Sequence, residues 1–325
     1  MLLNIGDFLG PFSSAMVGAV AQGVLWGIMA LGVYITFKIL DFPDMTVDGS
    51  FALGGCTCAM LITHGVHPLL GVLVAILAGM AAGYITGFLH TKLNIPGILA
   101  GILMMLALYS INLHIMGGPN QPLSRAHVTI MNYINNLCRL PVIFKDNATS
   151  VSSLITGILF SGALIAILYW FFGTELGSAI RATGDNERMS RAQGVNTDRM
   201  KILALMISNG LVALSGALVM QQQRFGDVSM GIGTIVIGLA SIIIGEVVFG
   251  QRLAFWFYLL SVVLGSVIYR LIIAIVLQLG MKTQDLKLLS AIVVTIALSV
   301  PVFKKKLRSK KTPDAAQEST GAHNR

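Results

Sequence analysis

Residues Ile155–Phe172 read ITGILFSGALIAILYWFF, Gly173–Lys201 read GTELGSAIRATGDNERMSRAQGVNTDRMK, and Ile202–Met220 read ILALMISNGLVALSGALVM. Two apolar runs bracket a connector dense in charge. The connector holds nine charged residues (Glu175, Arg181, Asp185, Glu187, Arg188, Arg191, Asp198, Arg199 and Lys201) of the 36 in the chain. The flanking runs are close to the roughly 20 residues that a helix needs to cross a hydrocarbon core about 30 Å thick.

The same pattern recurs along the whole chain. Hydrophobic residues make up 55% and charged residues 11% of the sequence, whereas a soluble domain carries about a quarter charged. The fold class that follows is an all-α polytopic membrane protein. Nine spans are expected, within a range of eight to ten: 16–37, 49–63, 69–90, 97–116, 151–172, 200–220, 231–250, 253–279 and 288–303. Residues 1–303 then form one transmembrane domain, with 173–201 as a cytoplasmic loop and 117–150 as an extracytoplasmic loop. Residues 304–325 form a basic, disordered cytoplasmic tail. The stretch before Met16 is amphipathic and suits an interfacial element.

The net charge of +8 lies mostly in Lys304, Lys305, Lys306, Arg308, Lys310 and Lys311. Directly after an apolar run, such a cluster is a cytoplasmic flank facing anionic lipid, and no nucleic-acid partner is implied. Placing it inside sets the other loops by alternation. Lys38, Lys92, the Gly173–Lys201 connector and Arg252 come out inside; Arg125, Arg139, Lys145, Arg224, Lys282 and Lys287 come out outside. Basic residues favour the inside, and the N-terminus falls outside. The opening MLLNIGDFLG has no basic n-region, so the first span is expected to stay in the mature chain.

Cys56, Cys58 and Cys138 lack framework or metal-site spacing. His64 and His67 lie three apart in an outer loop, but no carboxylate or cysteine accompanies them, so no metal site is expected. Asn147-Ala148-Thr149 fits a glycosylation sequon, discounted in a chain of bacterial appearance. Gly23/Gly27, Gly83/Gly87 and Gly97/Gly101 recur four apart, a spacing that lets helix backbones approach closely in lipid.

Two segments share a pattern. Asp44-Met45-Thr46-Val47-Asp48-Gly49 follows the first span, and Asp227-Val228-Ser229-Met230-Gly231 follows the sixth. Each runs acid, apolar, hydroxyl, then a glycine-bearing span. An odd number of spans separates them, so the halves would be inverted repeats, an architecture common in transporters.

Within the connector, Asp185-Asn186 is a helix start and Gly194 a stop, with a second start at Asn196-Thr197-Asp198. The enclosed helix is about two turns long. Glu187 and Arg191, at i and i+4, can pair on one face, with Arg181 and Arg188 facing outward. Composition alone leaves two readings open, a solvated connector that sets topology or a surface made to be gripped by a soluble partner.

Residues Ala179–Glu187 (AIRATGDNE) and Ala192–Thr197 (AQGVNT) resemble the cytoplasmic coupling segment of ABC importer permeases of the branched-chain amino acid and ribose permease family. Ile39–Phe42 through Gly54-Gly55, and Ser215–Leu218 with the turn 221–233, resemble that family as well. The likeness runs from about Gly23 to Ser299. Its subgroup works with an extracytoplasmic lipoprotein or periplasmic binding protein and is linked to tryptophan- or tyrosine-type substrates. Asp41 and Asp44, with Pro43 between them, depart from the less acidic turn of the branched-chain permeases, which puts a leucine-type substrate in doubt.

The resemblance implies a permease subunit of a bacterial inner membrane with no nucleotide site or enzymatic activity of its own. Its partners would be a second permease copy, two ATP-binding subunits that carry ATP and Mg, and an extracytoplasmic solute-binding protein. The coupling residues would be Arg181, Asp185, Asn186, Glu187, Arg188, Arg191 and Gly194. The chain has no G-x-x-x-x-G-K-[ST] stretch, so hydrolysis must come from a partner.

Polar residues inside spans are candidates for a substrate route because burying them in lipid is costly. Asn112, Asn209, Gln222, Glu246 and Arg270 qualify, and Met105 with Met104 suits a soft apolar path. Asn112 and Asn209 can equally bond neighbouring helices, and Met105 can equally be core. Glu246 can pair with Arg252. Gln221–Gln223 sit at the outer end of a span. The rival function is an ATPase-independent secondary transporter or channel, which would use the same inverted repeat. An intramembrane enzyme lacks support, since H-E-x-x-H, G-x-S-x-G and paired intramembrane aspartates are all missing.

Overall fold

The computed structural model describes residues 5–137, 148–250, 254–279, 285, 288–295 and 299, with side chains described from Ala15 onward. Helices α1 (Ile5–Tyr34), α2 (Thr46–Thr63), α3 (Pro68–Thr91) and α4 (Gly97–Met116) form the first half. After α5 (Ile130–Leu137) and α6 (Ala148–Phe172) come the short α7 (Glu175–Asp185) and α8 (Glu187–Ala192). Helices α9 (Thr197–Gln223), α10 (Thr234–Phe249) and α11 (Phe255–Gln278) complete the bundle.

Eight helices among the described residues are long and apolar enough to cross a membrane. The ninth expected span is described only in part, with residues 288–295 helical. Cys138, Arg139, Lys145, Asn147 of the sequon, Arg252, Lys282, Lys287 and the basic run 304–311 lie outside the described residues. The first helix begins at Ile5, so the pre-span stretch continues into it.

Three helices sit at the centre. About three quarters of the span windows of α1, α2 and α9 is buried, against 28–39% for the others. Helix ends follow local chemistry. Pro68 sits at the first turn of α3, where its missing N–H costs nothing. Gly117, at φ 65°, ends α4 in the left-handed conformation that a Cβ disfavours.

The two halves repeat one another's packing. Helix α1 lies along α11 as α9 lies along α3, and α2 meets α9 as α10 meets α1. In the first pairing Gly23 and Gly27 abut Val267 and Val263; in the second Gly83 and Gly87 abut Leu205 and Ile202. The acidic turns repeat too. Thr46 N donates to Asp44 Oδ1 at 2.9 Å and Ser229 N to Asp227 Oδ1 at 2.7 Å. Asp48 joins the halves directly, accepting from Gly233 N, Thr234 Oγ1 and Ile235 N at 2.8–3.0 Å at the start of α10.

A two-stranded ribbon, β1 (Asn120–Pro122) and β2 (Phe225–Asp227), ties the loop after α4 to the end of α9. Gln221 Oε1 accepts from Ile130 N at 2.9 Å and Arg224 donates to Asn132 Oδ1 at 2.8 Å, so α5 is fastened to the same corner.

Candidate functional site

The charged connector folds as the helix signals require. Thr174 caps α7, its hydroxyl accepting from Gly177 N at 3.4 Å. Asn186 ends α7 and caps α8, its side chain accepting from Met189 N at 3.0 Å. Gly194 stops the chain at φ 87°, and Asn196 starts α9 by accepting from Arg199 N at 3.1 Å.

Charge then fixes α8 to the base of α9. Glu187 accepts from Arg191 at 3.1 Å, from Thr197 Oγ1 at 3.3 Å and from Lys201 Nζ at 2.8 Å. Arg191 also reaches Thr197 Oγ1 at 2.8 Å and Asp198 at 3.3 Å. The hydrogen bond from Lys201 is the main reason that the Glu187 carboxyl titrates below the usual carboxylate range. Glu187 therefore faces the bundle, while Asp185, Arg188 and Met189 are exposed. An exposed methionine, at 58%, beside an exposed arginine makes an adhesive, adaptable tip.

Arg181 does not face outward with Arg188. Its guanidinium lies 4.0 Å from the centre of the Phe255 ring and 5.2 Å from that of Phe172. These rings come from α11 and α6, so the cation is drawn inward by π faces that only tertiary packing assembles.

One turn further on, Gly184 packs directly on the Ile39 carbonyl and on Leu40. Ile39 closes a π-helical turn, Ile35–Ile39, at the end of α1. Such turns widen a helix locally and recur at functional positions. Lys38 within it pairs with Glu246 at 2.8 Å; the expected partner Arg252 lies outside the described residues. The chain then turns through Asp41 at φ 53°, and the Phe42 ring meets His90 edge-on at 5.0 Å between centres. A cavity of about 400 Å³ lies here, walled by Asp41, Phe42, His90, Gly184, Glu187 and Lys201.

Beyond Phe42 the chain enters a buried polar cluster. Asp44, 2% exposed, accepts from Thr46 N at 2.9 Å and from Asn209 Nδ2 at 2.7 Å. Asn209 also donates to Leu205 O at 3.0 Å and accepts from Ser50 Oγ at 2.7 Å. The Thr46 and Thr86 hydroxyls share a bond of 2.8 Å. Burial pushes the Asp44 carboxyl up, and the bonds from Thr46 and Asn209 oppose that rise. The segment Ile39–Asp44 thus links the Gly184 contact to the polar cluster at the centre of the bundle.

The family described as branched-chain amino acid transport system / permease component matches residues 15–299 of this chain. The chain belongs to that permease family. The permease is 41% identical over 308 residues to a tyrosine transport system permease protein of Clostridioides difficile (strain R20291), covering 94% of this chain and 98% of that one. It is 32% identical to the uncharacterized protein RP368 of Rickettsia prowazekii (strain Madrid E), over 87% of this chain and 96% of that one. To the ribose import permease protein RbsC of Escherichia coli (strain K12) it is 25% identical, over 67% of this chain and 64% of that one.

Three of the residues expected along a substrate route, Met105, Asn112 and Asn209, meet Gly49 or Ser50 at the start of α2. Asn209 is absorbed by the polar cluster. Asn112 is buried and donates to Gly49 O at 3.4 Å, so it joins α4 to α2, and the backbone of half-buried Met105 meets the same glycine. Arg270 stacks on the Trp26 ring, 3.9 Å from its centre, which supplies the partner that the sequence leaves unnamed. Gln222 stands in the last turn of α9 with a buried Oε1. Glu246 sits near the other end of α10, held by Lys38. None of them lines the cavity at Asp41 and Phe42. Gln221, Thr86 and Ser50 belong to the polar framework and gave only the generic signal of polarity inside an apolar run. Among the described residues no three His, Cys, Asp or Glu side chains converge as a metal site would need.

Proposed function

We propose that this permease is the membrane subunit of a binding-protein-dependent importer, driven by ATP hydrolysis on a separate subunit. The observation that carries the reading is the connector 175–201. It presents Arg188 and Met189 on a short helix whose Glu187 and Arg191 bond Thr197 and Lys201 at the base of α9, and the preceding helix α7 is wedged on the π turn of α1. A tip held this firmly passes rigid motion to the bundle, while a free loop would dissipate it.

In this reading two permease copies pair, and each receives one ATP-binding subunit that carries ATP and Mg. The permease contributes no catalytic group. The outer loop 117–150, held by its ribbon and by Gln221 and Arg224, offers a seat for an extracytoplasmic solute-binding protein. The membrane would be the inner membrane of a bacterium, with residues 173–201 and the basic tail on the cytoplasmic side. The identity to the tyrosine permease over nearly the whole chain supports tyrosine or a related aromatic amino acid as the solute.

Uptake of labelled tyrosine into cells or vesicles that hold the complete system tests this. Uptake should need ATP and survive an uncoupler that collapses ion gradients. Uptake driven by an ion gradient without ATP would favour the secondary-transporter reading.

A further inference from the structure

A second cavity, of about 410 Å³, opens where α6, α7 and α11 meet. Its wall includes Tyr169, Trp170, Phe172, Thr174, Arg181 and Phe255, with Arg181 the one charged side chain among them. The guanidinium packs against two phenylalanine rings, at 4.0 and 5.2 Å from their centres, and neither ring offers its N–H groups a hydrogen-bond acceptor. The Arg181 Nε is buried without a hydrogen-bond partner, and no carboxylate lies within ion-pair distance of Arg181 among the described residues. Glu175 is the acidic residue on the first turn of α7, and it is exposed.

The cavity continues an apolar track. Ile158, Leu159 and Ile167 of α6 are each more than half exposed on the outside of the bundle. At the end of that track Tyr169 and Trp170 are 54% and 71% exposed, where aromatic side chains mark the membrane boundary. An acyl-chain surface, an aromatic step and an unpaired guanidinium therefore follow one another along the chain. A guanidinium fork matches phosphate oxygens better than any other side chain does.

We propose that this cavity binds the headgroup of an anionic phospholipid. Arg181 holds the phosphate, Tyr169 and Trp170 flank the glycerol region, and the acyl chains lie along α6. Because Arg181 belongs to α7, the lipid braces the segment that carries α8.

The test uses the full chain in nanodiscs of mixed phosphatidylglycerol and phosphatidylcholine, with retained lipid counted by native mass spectrometry after mild detergent release. The basic run 304–311 attracts anionic lipid by itself, so the decisive readout is the difference between variants of the same full chain. Wild type should retain phosphatidylglycerol in preference, and Arg181→Gln should lower that retention about fivefold, the worth of one basic side chain near an anionic surface. Arg181→Lys should keep part of it. Equal retention of the two lipids by wild type, or unchanged retention in Arg181→Gln, would overturn the proposal. Should Arg181→Gln fail to fold, Trp170→Ala leaves the guanidinium stack in place and should still lower retention; unchanged retention there also overturns it. Binding of soluble glycerol phosphate by wild type with no preference for phosphatidylglycerol would assign the site to a free anion and sink the lipid assignment.

Discussion

Gly184 of α7 sits so close to the carbonyl oxygen of Ile39 that a methyl group on it would overlap that oxygen. This contact joins the charged connector to the π turn of α1, which ends five residues before Asp44 along the chain. Replacing Gly184 with alanine forces the two backbones apart, at a cost of about 1–3 kcal/mol. Partner binding through α8 should survive, because Arg188 and Met189 are untouched. The ratio of solute moved to ATP hydrolysed should fall, and measuring both in one preparation checks this. An unchanged ratio would remove the contact from the coupling route.

The Asp44–Asn209 bond predicts an asymmetry between substitutions. Asn209→Leu strands the Asp44 carboxyl and the Ser50 hydroxyl, each a loss of about 1–3 kcal/mol. Asp44→Asn is milder, since a flip of the Asn209 amide restores its bonds to residue 44 and to Ser50 and gives up only the bond to Leu205 O. Because burial raises the folded carboxyl above its unfolded value, the stability it contributes is present at low pH and declines as pH rises through the raised value. Unfolding in mixed micelles should show that decline in wild type and not in Asp44→Asn.

Glu187 behaves in the opposite sense. Its folded carboxyl titrates below the ordinary range, so the fastening of α8 is complete above that range and lost as pH falls through the depressed value. The side chain is 39% exposed, so solvent weakens the effect and global stability should barely change. Hydrogen exchange of the α8 amides reads the local loosening. Glu187→Gln should exchange fast at every pH, and a variant that stays protected at neutral pH would exclude Lys201 and Arg191 as the clasp.

Arg270 over Trp26 predicts unequal effects on stability. Trp26→Leu should cost about 2 kcal/mol or more, since it removes the π face from a desolvated cation. Arg270→Met keeps the volume and removes the buried charge, so stability should stay within about 1 kcal/mol of wild type. Thermal melting of the two variants separates these outcomes.

The apolar runs made the fold legible, because a membrane leaves little choice between helix and nothing. The helix starts and stops of the connector were equally plain, since Asn186, Gly194 and Asn196 act within their own neighbourhoods. So was the Glu187–Arg191 pair, a contact between successive turns. Partners brought from other helices were hidden. Arg181 turned inward because Phe255 lies on a helix that begins 74 residues later. Glu246 meets Lys38, which a π turn at the end of α1 aims at α10. The β1–β2 ribbon pairs two three-residue strands a hundred residues apart, too short to leave a period in the sequence.

The central claim is that α8 is gripped by an ATP-binding subunit whose hydrolysis drives uptake. The most direct measurement is purification of the tagged permease from its own membrane, with vanadate-sensitive ATP hydrolysis assayed in wild type and in an Arg188→Ala, Met189→Ala double variant. The account predicts that the wild type carries an ATP-binding subunit and hydrolyses ATP. The double variant should insert and melt normally but lose both subunit and hydrolysis. Retention of the subunit by the double variant, or solute uptake with no such subunit present, would contradict it.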